Sequence, residues 1–422
     1  MEQNILYGLS KIPFSLPKGT LIECLDVKKT ASQKSEKQIL IESLMNPIGS
    51  KHLHEIVRGK KSIAILIPGK MRCAGTKDYI PLLVEELNKA GILDSQIKIF
   101  LADGTHEQHL ESDIQSLLGK EIALRICCIG HDCKDEKSLA YLGTTSYGTP
   151  VYINKQVMES DVKILTGRIV PHYFAGFSGG RKALIPGVAG FKTILANHSL
   201  TLDKFSGIHP MVKLASLDQN PIHLDMMEGA RMAKPDFCFN TLMDTENKIM
   251  SAVAGDFELA HREGCQRAHK LFCKTLKQSV DVVITSPGGL PYDCNFMQSL
   301  KAFFNIQDIV RPGGAIFCIA QCAGGIHPGF LSWAKISSYN ELNQAVRSSY
   351  NLAGHNSIIL RELTQKVEVA LFSKMESKIV QSLGMCPIAT LQEGIDWILD
   401  RFKQNFTYAI VPSANLLCAR LE

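Results

Sequence analysis

Three histidines and one lysine stand where their types could do chemistry. The stretch PHYFAGFSGGRKALIPG, from Pro171 to Gly187, holds His172, a Ser178-Gly179-Gly180 turn and the adjacent cations Arg181 and Lys182. His198 follows sixteen residues after the lysine, and His106 lies upstream in ADGTHEQH. Gly179 and Gly180 carry no Cβ, so the backbone there can approach a ligand closely. If Ser178 or a glycine caps a helix over RKALI, its free N–H groups favour an anion. Lys182 then reads three ways: a solvated cation, a phosphate ligand or a nucleophile. The G-x-x-x-x-G-K-[ST] spacing of a phosphate-binding loop is absent, and no G-x-G-x-x-G follows the first strand. A nucleotide bound in the ordinary dinucleotide manner is therefore not expected. Taken alone, the stretch is a glycine-rich turn with two surface cations; three histidines at turns or strand exits beside it turn the balance toward a site.

The elements that must hold these residues follow from hydrophobic periodicity. SIAILIP (62–68), IKIFLAD (97–103), IALRICCI (122–129) and VKILTG (162–167) read as buried strands, and DYIPLLVEELNKAG (78–91) as an amphipathic helix. Such alternation predicts an α/β fold of two domains, with mainly parallel sheets covered by helices. Ligands of such sheets bind beyond the carboxyl ends of the strands. Arg72, His106 and His172 each follow a strand end in this way. A helical pattern over 256–276 serves as a connector, after which the alternation restarts at VDVVITSPGG (280–289), NFMQSLKAFFNIQDIV (295–310) and GAIFCIA (314–320). The expected domains are residues 1–275 and 276–422, with the active site in the cleft between them. Residues 328–405 read as mostly helical around one short strand at 367–373, and YAIVPSA (408–414) reads as the last strand.

The totals exclude several classes. A net charge of +5 is small for 422 residues, and no run interleaves basic and aromatic residues, so no nucleic-acid partner is expected. No apolar run is long enough to span a membrane. Thirteen cysteines without a visible secretory signal predict free thiols and a cytoplasmic protein. The cluster CCIGHDC (Cys127, Cys128, His131, Cys133) matches no standard zinc spacing and reads as core.

Taken together these motifs resemble the lactate racemase family of nickel-pincer-nucleotide 2-hydroxyacid racemases and epimerases. The resemblance is strongest over TGRIVPHYFAGFSGGRKALIPGVAGFKTILANH (166–198), and GTH (104–106) and PGGLPYDCNFMQSLKA (287–302) support it. It implies that Lys182 carries the nickel-pincer nucleotide covalently through a thioamide and that His198 is the one protein ligand to Ni. His106 and His172 would be the paired acid/base groups. Arg72, Gln298 and Lys301 would hold the substrate carboxylate, while Ser178, Gly179 and Gly180 would shape the cofactor pocket. The implied partners are a small-molecule 2-hydroxy acid and cofactor-maturation enzymes, and the implied assembly is a monomer or homodimer.

This chemistry has a physical rationale. Removing the α-hydrogen as a proton would leave a carbanion beside a carboxylate, whereas removing it as a hydride leaves a neutral 2-oxo acid. No side chain accepts hydride, so a cofactor must. The hydroxyl proton leaves with it, and one histidine on each side serves each antipode. Two departures from the family pattern are Gly69, where an aspartate often stands, and Met297, where a tyrosine often stands; both predict a substrate bulkier than lactate. Rival readings are a sugar-acid C2 epimerase with the same cofactor, a zinc hydrolase using His106, His172 and His198, and a non-catalytic cofactor-binding protein.

Overall fold

The structure is a computed structural model that describes residues 3–27, 34–69, 72–106, 111–403 and 405–422. Two six-stranded sheets organise it. The first runs, edge to edge, Ile249–Gly255, Phe237–Met243, Val162–Arg168, Ile63–Ile67, Ile97–Leu101 and Cys127–Ile129. All its pairings are parallel except that of the Ile249–Gly255 edge. The second runs Cys386–Ile388, Glu368–Phe372, Val310–Ile319, Val280–Thr285, Thr407–Val411 and Thr20–Cys24, all parallel. Helices cover both. The α/β architecture read from the alternation is therefore present. Its logic is visible in IAILI at 63–67, buried along its whole length as the interior of a parallel sheet requires. Each such branched side chain contributes about 1.5–3 kcal/mol on leaving water.

Four local expectations need correction. Residues 122–129 are not one strand: Lys120–Arg125 is a helix that starts after Gly119 (φ +78°), and only Cys127–Ile129 is extended. Leu124 is 74% exposed on that helix, which an apolar run read as a buried strand does not anticipate. The connector helix is shorter than 256–276: it spans Leu259–Phe272 and passes into a strand, Cys273–Leu276, paired with a further terminal strand, Cys418–Leu421. Thus 408–414 is not the last strand. The second domain also holds Cys386–Ile388 inside the segment read as helical around one strand.

The N-terminal strands pack with the second sheet. Thr20–Cys24 pairs with Thr407–Val411 in the second sheet, and the Leu25 N–H continues the ladder to the Ile410 carbonyl at 2.8 Å. The hairpin Gln3–Tyr7 with Ser10–Phe14 docks on the same domain. The Gly8 N–H donates to the fully buried carboxylate of Asp293 at 2.7 Å, Ser286 donates to the Leu6 carbonyl at 2.7 Å, and Tyr7 stacks on Phe372 at 5.1 Å. Residues 3–25 belong physically with the domain at the far end of the chain, because their apolar faces and edge hydrogen bonds are satisfied there.

All thirteen cysteines are free thiols. Among the described residues no helix is long and apolar enough to cross a membrane.

Candidate active site

The order of the first sheet sets the site. Ile63–Ile67 lies between Ile97–Leu101 and Val162–Arg168. Arg72 follows the middle strand, while His106 and His172 follow the two outer ones. With neighbouring strands about 4.8 Å apart, the two histidines leave the sheet from strands roughly 10 Å apart, with the arginine's strand between them. All three line one cavity of about 180 Å³, whose wall also includes Ser178, Gly179, Lys182, His198, Gln298 and Lys301. Arg72 and His106 are exposed, and His172 is 8% exposed. Of the ten residues singled out in the sequence, only Gly180 does not line this space.

The turn around Lys182 differs from the expected helix start. Residues Gly180–Ala183 form a single four-residue 3-10 turn without a side-chain cap. Ser178 is not a cap: its hydroxyl donates to the Arg168 carbonyl at 2.7 Å and accepts from the Val170 N–H at 2.9 Å, tying the loop to the strand end. Gly179 has φ +76°, and a Cβ there would lie 2.7 Å from Asn240 and from Ile169. Gly180 has φ +51°, and its Cβ would lie 2.6 Å from the ring of buried His261. Its N–H donates to Asn240 at 2.9 Å, so its part is to seat the turn. We expect Gly180→Ala to cost about 2–4 kcal/mol through left-handed strain and overpacking, read as a lower urea midpoint. An unchanged midpoint would mean that His261 gives way freely.

The two adjacent cations part company. Arg181 is fully buried, donates to the Ala175 carbonyl at 2.7 Å and contacts the His261 ring at 3.0 Å. It pins the 171–177 hairpin that carries His172. Lys182 instead reaches the cavity, its amine 5.3 Å from the centre of the Phe174 ring.

Helix Phe296–Ile306 supplies the second domain's share. Asn295 caps it by accepting from the Gln298 N–H, and Phe296, Leu300, Phe303 and Phe304 bury its apolar stripe. Gln298 and Lys301, three apart, do share a face: the ammonium donates to the Gln298 carboxamide at 2.6 Å.

Charge dominates the site. Among the described residues, Arg72, Arg168, Lys182 and Lys301 line the cavity with one carboxylate, Asp103. The lysines keep some exposure to the cavity, but protein and other cations hem in their amines, and desolvation is the larger effect. Burial, with Arg72, Arg181 and Lys301 nearby, holds the Lys182 amine well below its ordinary value. Burial and Arg72 push Lys301 down to about 7. His172 and His198 are likewise held well below the usual imidazole range, chiefly by burial and then by neighbouring positive groups. Both rings therefore favour the neutral form at physiological pH. Among the described residues the buried Nδ1 of His198 has no partner in full hydrogen-bond geometry, although the backbone of Ile194 lies near enough to favour the protonated ring slightly.

Several wall residues escaped the sequence reading. Arg168, 8% exposed, donates to the Tyr292 hydroxyl at 2.8 Å across the domain boundary and to the carbonyls of Met243 at 2.9 Å and Asp244 at 3.2 Å. Tyr292, Asn415 and Leu416 come from second-domain loops. Arg168 and Tyr292 had a signal, since each stands inside a quoted motif; Asn415 and Leu416 had none. Neither Gly69 nor Met297 is in the wall: Gly69 is buried, Met297 packs on the core, and Tyr292 brings a phenol instead.

The residues fit a lysine-tethered, singly histidine-ligated cofactor: a desolvated amine and a desolvated imidazole open onto one cavity. A three-histidine zinc centre is less well matched, since among the described residues no three His, Cys, Asp or Glu groups converge as a metal site. His131 of the cysteine-rich cluster is engaged elsewhere, with the Ala189 carbonyl at 3.0 Å and Asn154 at 3.3 Å.

The lactate racemase N-terminal domain model matches residues 7–208, and the lactate racemase C-terminal domain model matches 275–415. Lactate racemase from Thermoanaerobacterium thermosaccharolyticum is 36% identical over 338 residues, covering 79% of this chain and 78% of that protein. Lactate racemase from Lactiplantibacillus plantarum is 35% identical over 390 residues, covering 90% and 89%. The structure of the T. thermosaccharolyticum lactate racemase apoprotein superposes with a TM-score of 0.91 at 30% identity over the whole of both chains. A Thermotoga maritima protein shares the fold, with a TM-score of 0.70 at 17% identity, covering 92% of this chain and 98% of that one.

Proposed function

Since this chain belongs to the lactate racemase family and is an isomerase, we propose that it inverts the α-carbon of a 2-hydroxy acid using a nickel-pincer nucleotide anchored on Lys182. The observation that carries this reading is the arrangement on three adjacent strands, with Arg72 between His106 and His172. A carboxylate gripped by Arg72 and Lys301 places the neighbouring hydroxyl between two imidazoles. Arg72 offers a bidentate fork and Lys301 a point charge, oriented by Gln298. One histidine takes the hydroxyl proton of one antipode, and the other returns a proton to the product of opposite hand.

Lys182 and His198 would hold the cofactor, with the Ser178-Gly179 turn beside it. When bound it supplies a hydride acceptor and donor for the substrate α-carbon, which the protein's own groups lack. The 2-oxo acid formed on the way stays held by its carboxylate while its planar carbon turns its other face.

A substrate bulkier than lactate is supported by the apolar wall residues Val170, Ile194 and Leu416. A second reading, C2 epimerisation of a sugar acid, is favoured by Asp103, Thr105 and Asn415 in the same wall, which could meet substrate hydroxyls. The test is chiral chromatography of single-enantiomer 2-hydroxy acids and aldonic acids after incubation with protein co-expressed with cofactor-making enzymes. Inversion of any of them supports the reading; no inversion in metal-loaded protein across the set would overturn it. The pH dependence adds a specific expectation. Lys301 is charged below about 7 and neutral above it, so kcat/KM should fall as pH rises through that value. Lys301→Met should lower kcat/KM and remove this limb. A limb that persists in the variant would assign it to another group.

A further inference from the structure

Tyr173 follows His172 directly and links it to the second domain in three ways. Its ring stacks on the His172 ring, with centroids 5.1 Å apart and planes within 11°. The same ring packs 5.1 Å from Phe304, on the helix that carries Gln298 and Lys301. Its hydroxyl donates at 2.7 Å to the side-chain oxygen of Asn356, which is 5% exposed on the helix Gly354–Lys366. Burial holds the phenol above its ordinary pKa, so it remains a donor at all working pH values. Phe174 completes the cluster, edge-on to His172 at 4.4 Å, to Tyr173 at 4.8 Å and to His198 at 5.0 Å. His172 has little else to orient it: its Nδ1 accepts a long bond of 3.4 Å from the Ala175 N–H.

We infer that Tyr173 is a positioning residue through which the second domain sets the ring of His172. With the domains seated, the Asn356 bond holds the phenol, and the phenol ring holds the imidazole plane. When the second domain shifts, the bond breaks and the imidazole loses its backing. The acid/base geometry thus forms together with the arrival of Gln298 and Lys301, and the substrate carboxylate and hydroxyl are engaged as one event. An aromatic ring stacked on the histidine could do this for any base; the buried cross-domain hydrogen bond makes it depend on the domain seat.

The inference rests on the racemase reading only for its kinetic arm. Tyr173→Phe and Asn356→Ala each remove the bond while leaving the ring and the carboxylate grip in place. Each should lower kcat by about tenfold with KM nearly unchanged, and the double variant should be no worse than either single one. Independently, the His172 ring proton resonances of histidine-labelled apoprotein should move in the same direction in both variants, as the stacked ring tilts. Additive kinetic effects, or a change confined to KM, would overturn the coupling. Unmoved His172 resonances would overturn it whatever the activity. If wild-type protein proved inactive while the resonances moved, the positional link would stand and the racemase reading would fail.

Discussion

Lys182→Ala should leave the fully matured protein with the mass of the bare polypeptide and with inversion of substrate below detection. The argument runs through the amine's charge. An ordinary lysine with a pKa near 10.4 is unprotonated in fewer than about one molecule in a thousand at pH 7. Lys182 is held well below that by burial and by Arg72, Arg181 and Lys301, so its free base is populated where it can attack an acyl or thioacyl group. Lys182→Arg separates this role from a purely electrostatic one. Arginine keeps a cation against the Phe174 ring but cannot acylate under these conditions. Both variants should therefore lose the adduct, and peptide mapping of wild-type protein should place it on the 182 side chain. Substantial inversion by Lys182→Arg would sink the anchor. Stability gives a second readout that needs no cofactor. Because the folded-state pKa is depressed, the unfolded chain binds more protons between the folded pKa and about 10.4, so stability rises with pH across that window. Lys182→Ala should lose part of that rise, and it should fold at least as well as wild type near neutrality, since it removes a desolvated amine that binds its proton less tightly in the folded than in the unfolded chain.

How much of this was legible in the sequence depends on whether the signal was local. His172, Lys182 and His198 lie within one glycine-rich segment, and each is placed in the wall by backbone close to it. Arg72 and His106 were legible because each follows a short apolar strand, and parallel sheets gather such positions at one edge. The second domain's last loop was not legible. Asn415 and Leu416 reach the cavity only because strands at Val280–Thr285 and Thr407–Val411 are neighbours in the sheet, and nothing in their residue types announces that. The N-terminal segment failed for the same reason on a longer scale. Thr20–Cys24 pairs with a strand nearly four hundred residues away, and hydrophobic periodicity reports an element's type but not its partner. The misreading of 122–129 was of another kind. Ile122 and Ile126 are buried on one side of a helical turn while Leu124 faces solvent, so an apolar run carried no clean period of two or of 3.6.

The histidine pair yields the sharpest expectation, because it predicts an asymmetry rather than a loss. Replacing either His106 or His172 by Asn removes one proton acceptor and leaves the carboxylate grip of Arg72 and Lys301 intact. Net inversion should fall by about 10²–10⁴ in both variants, since each turnover needs both sides. The oxidative half of the reaction needs only one. Trapping the released 2-oxo acid with phenylhydrazine, in protein carrying its cofactor, should show that His106→Asn still oxidises one antipode and His172→Asn still oxidises the other. The proposed roles predict this crossed pattern, because the two residues follow strands on either side of the one that precedes Arg72. It also predicts unequal structural cost. His172 is buried against the Tyr173 and Phe174 rings, which also touch each other, whereas His106 is exposed, so only the former should lower the thermal midpoint. If both variants lost the same antipode, the histidines would share one side of the substrate, and inversion would have to draw its second proton from elsewhere in the wall, with Tyr292 or Asp103 the nearest chemistry available.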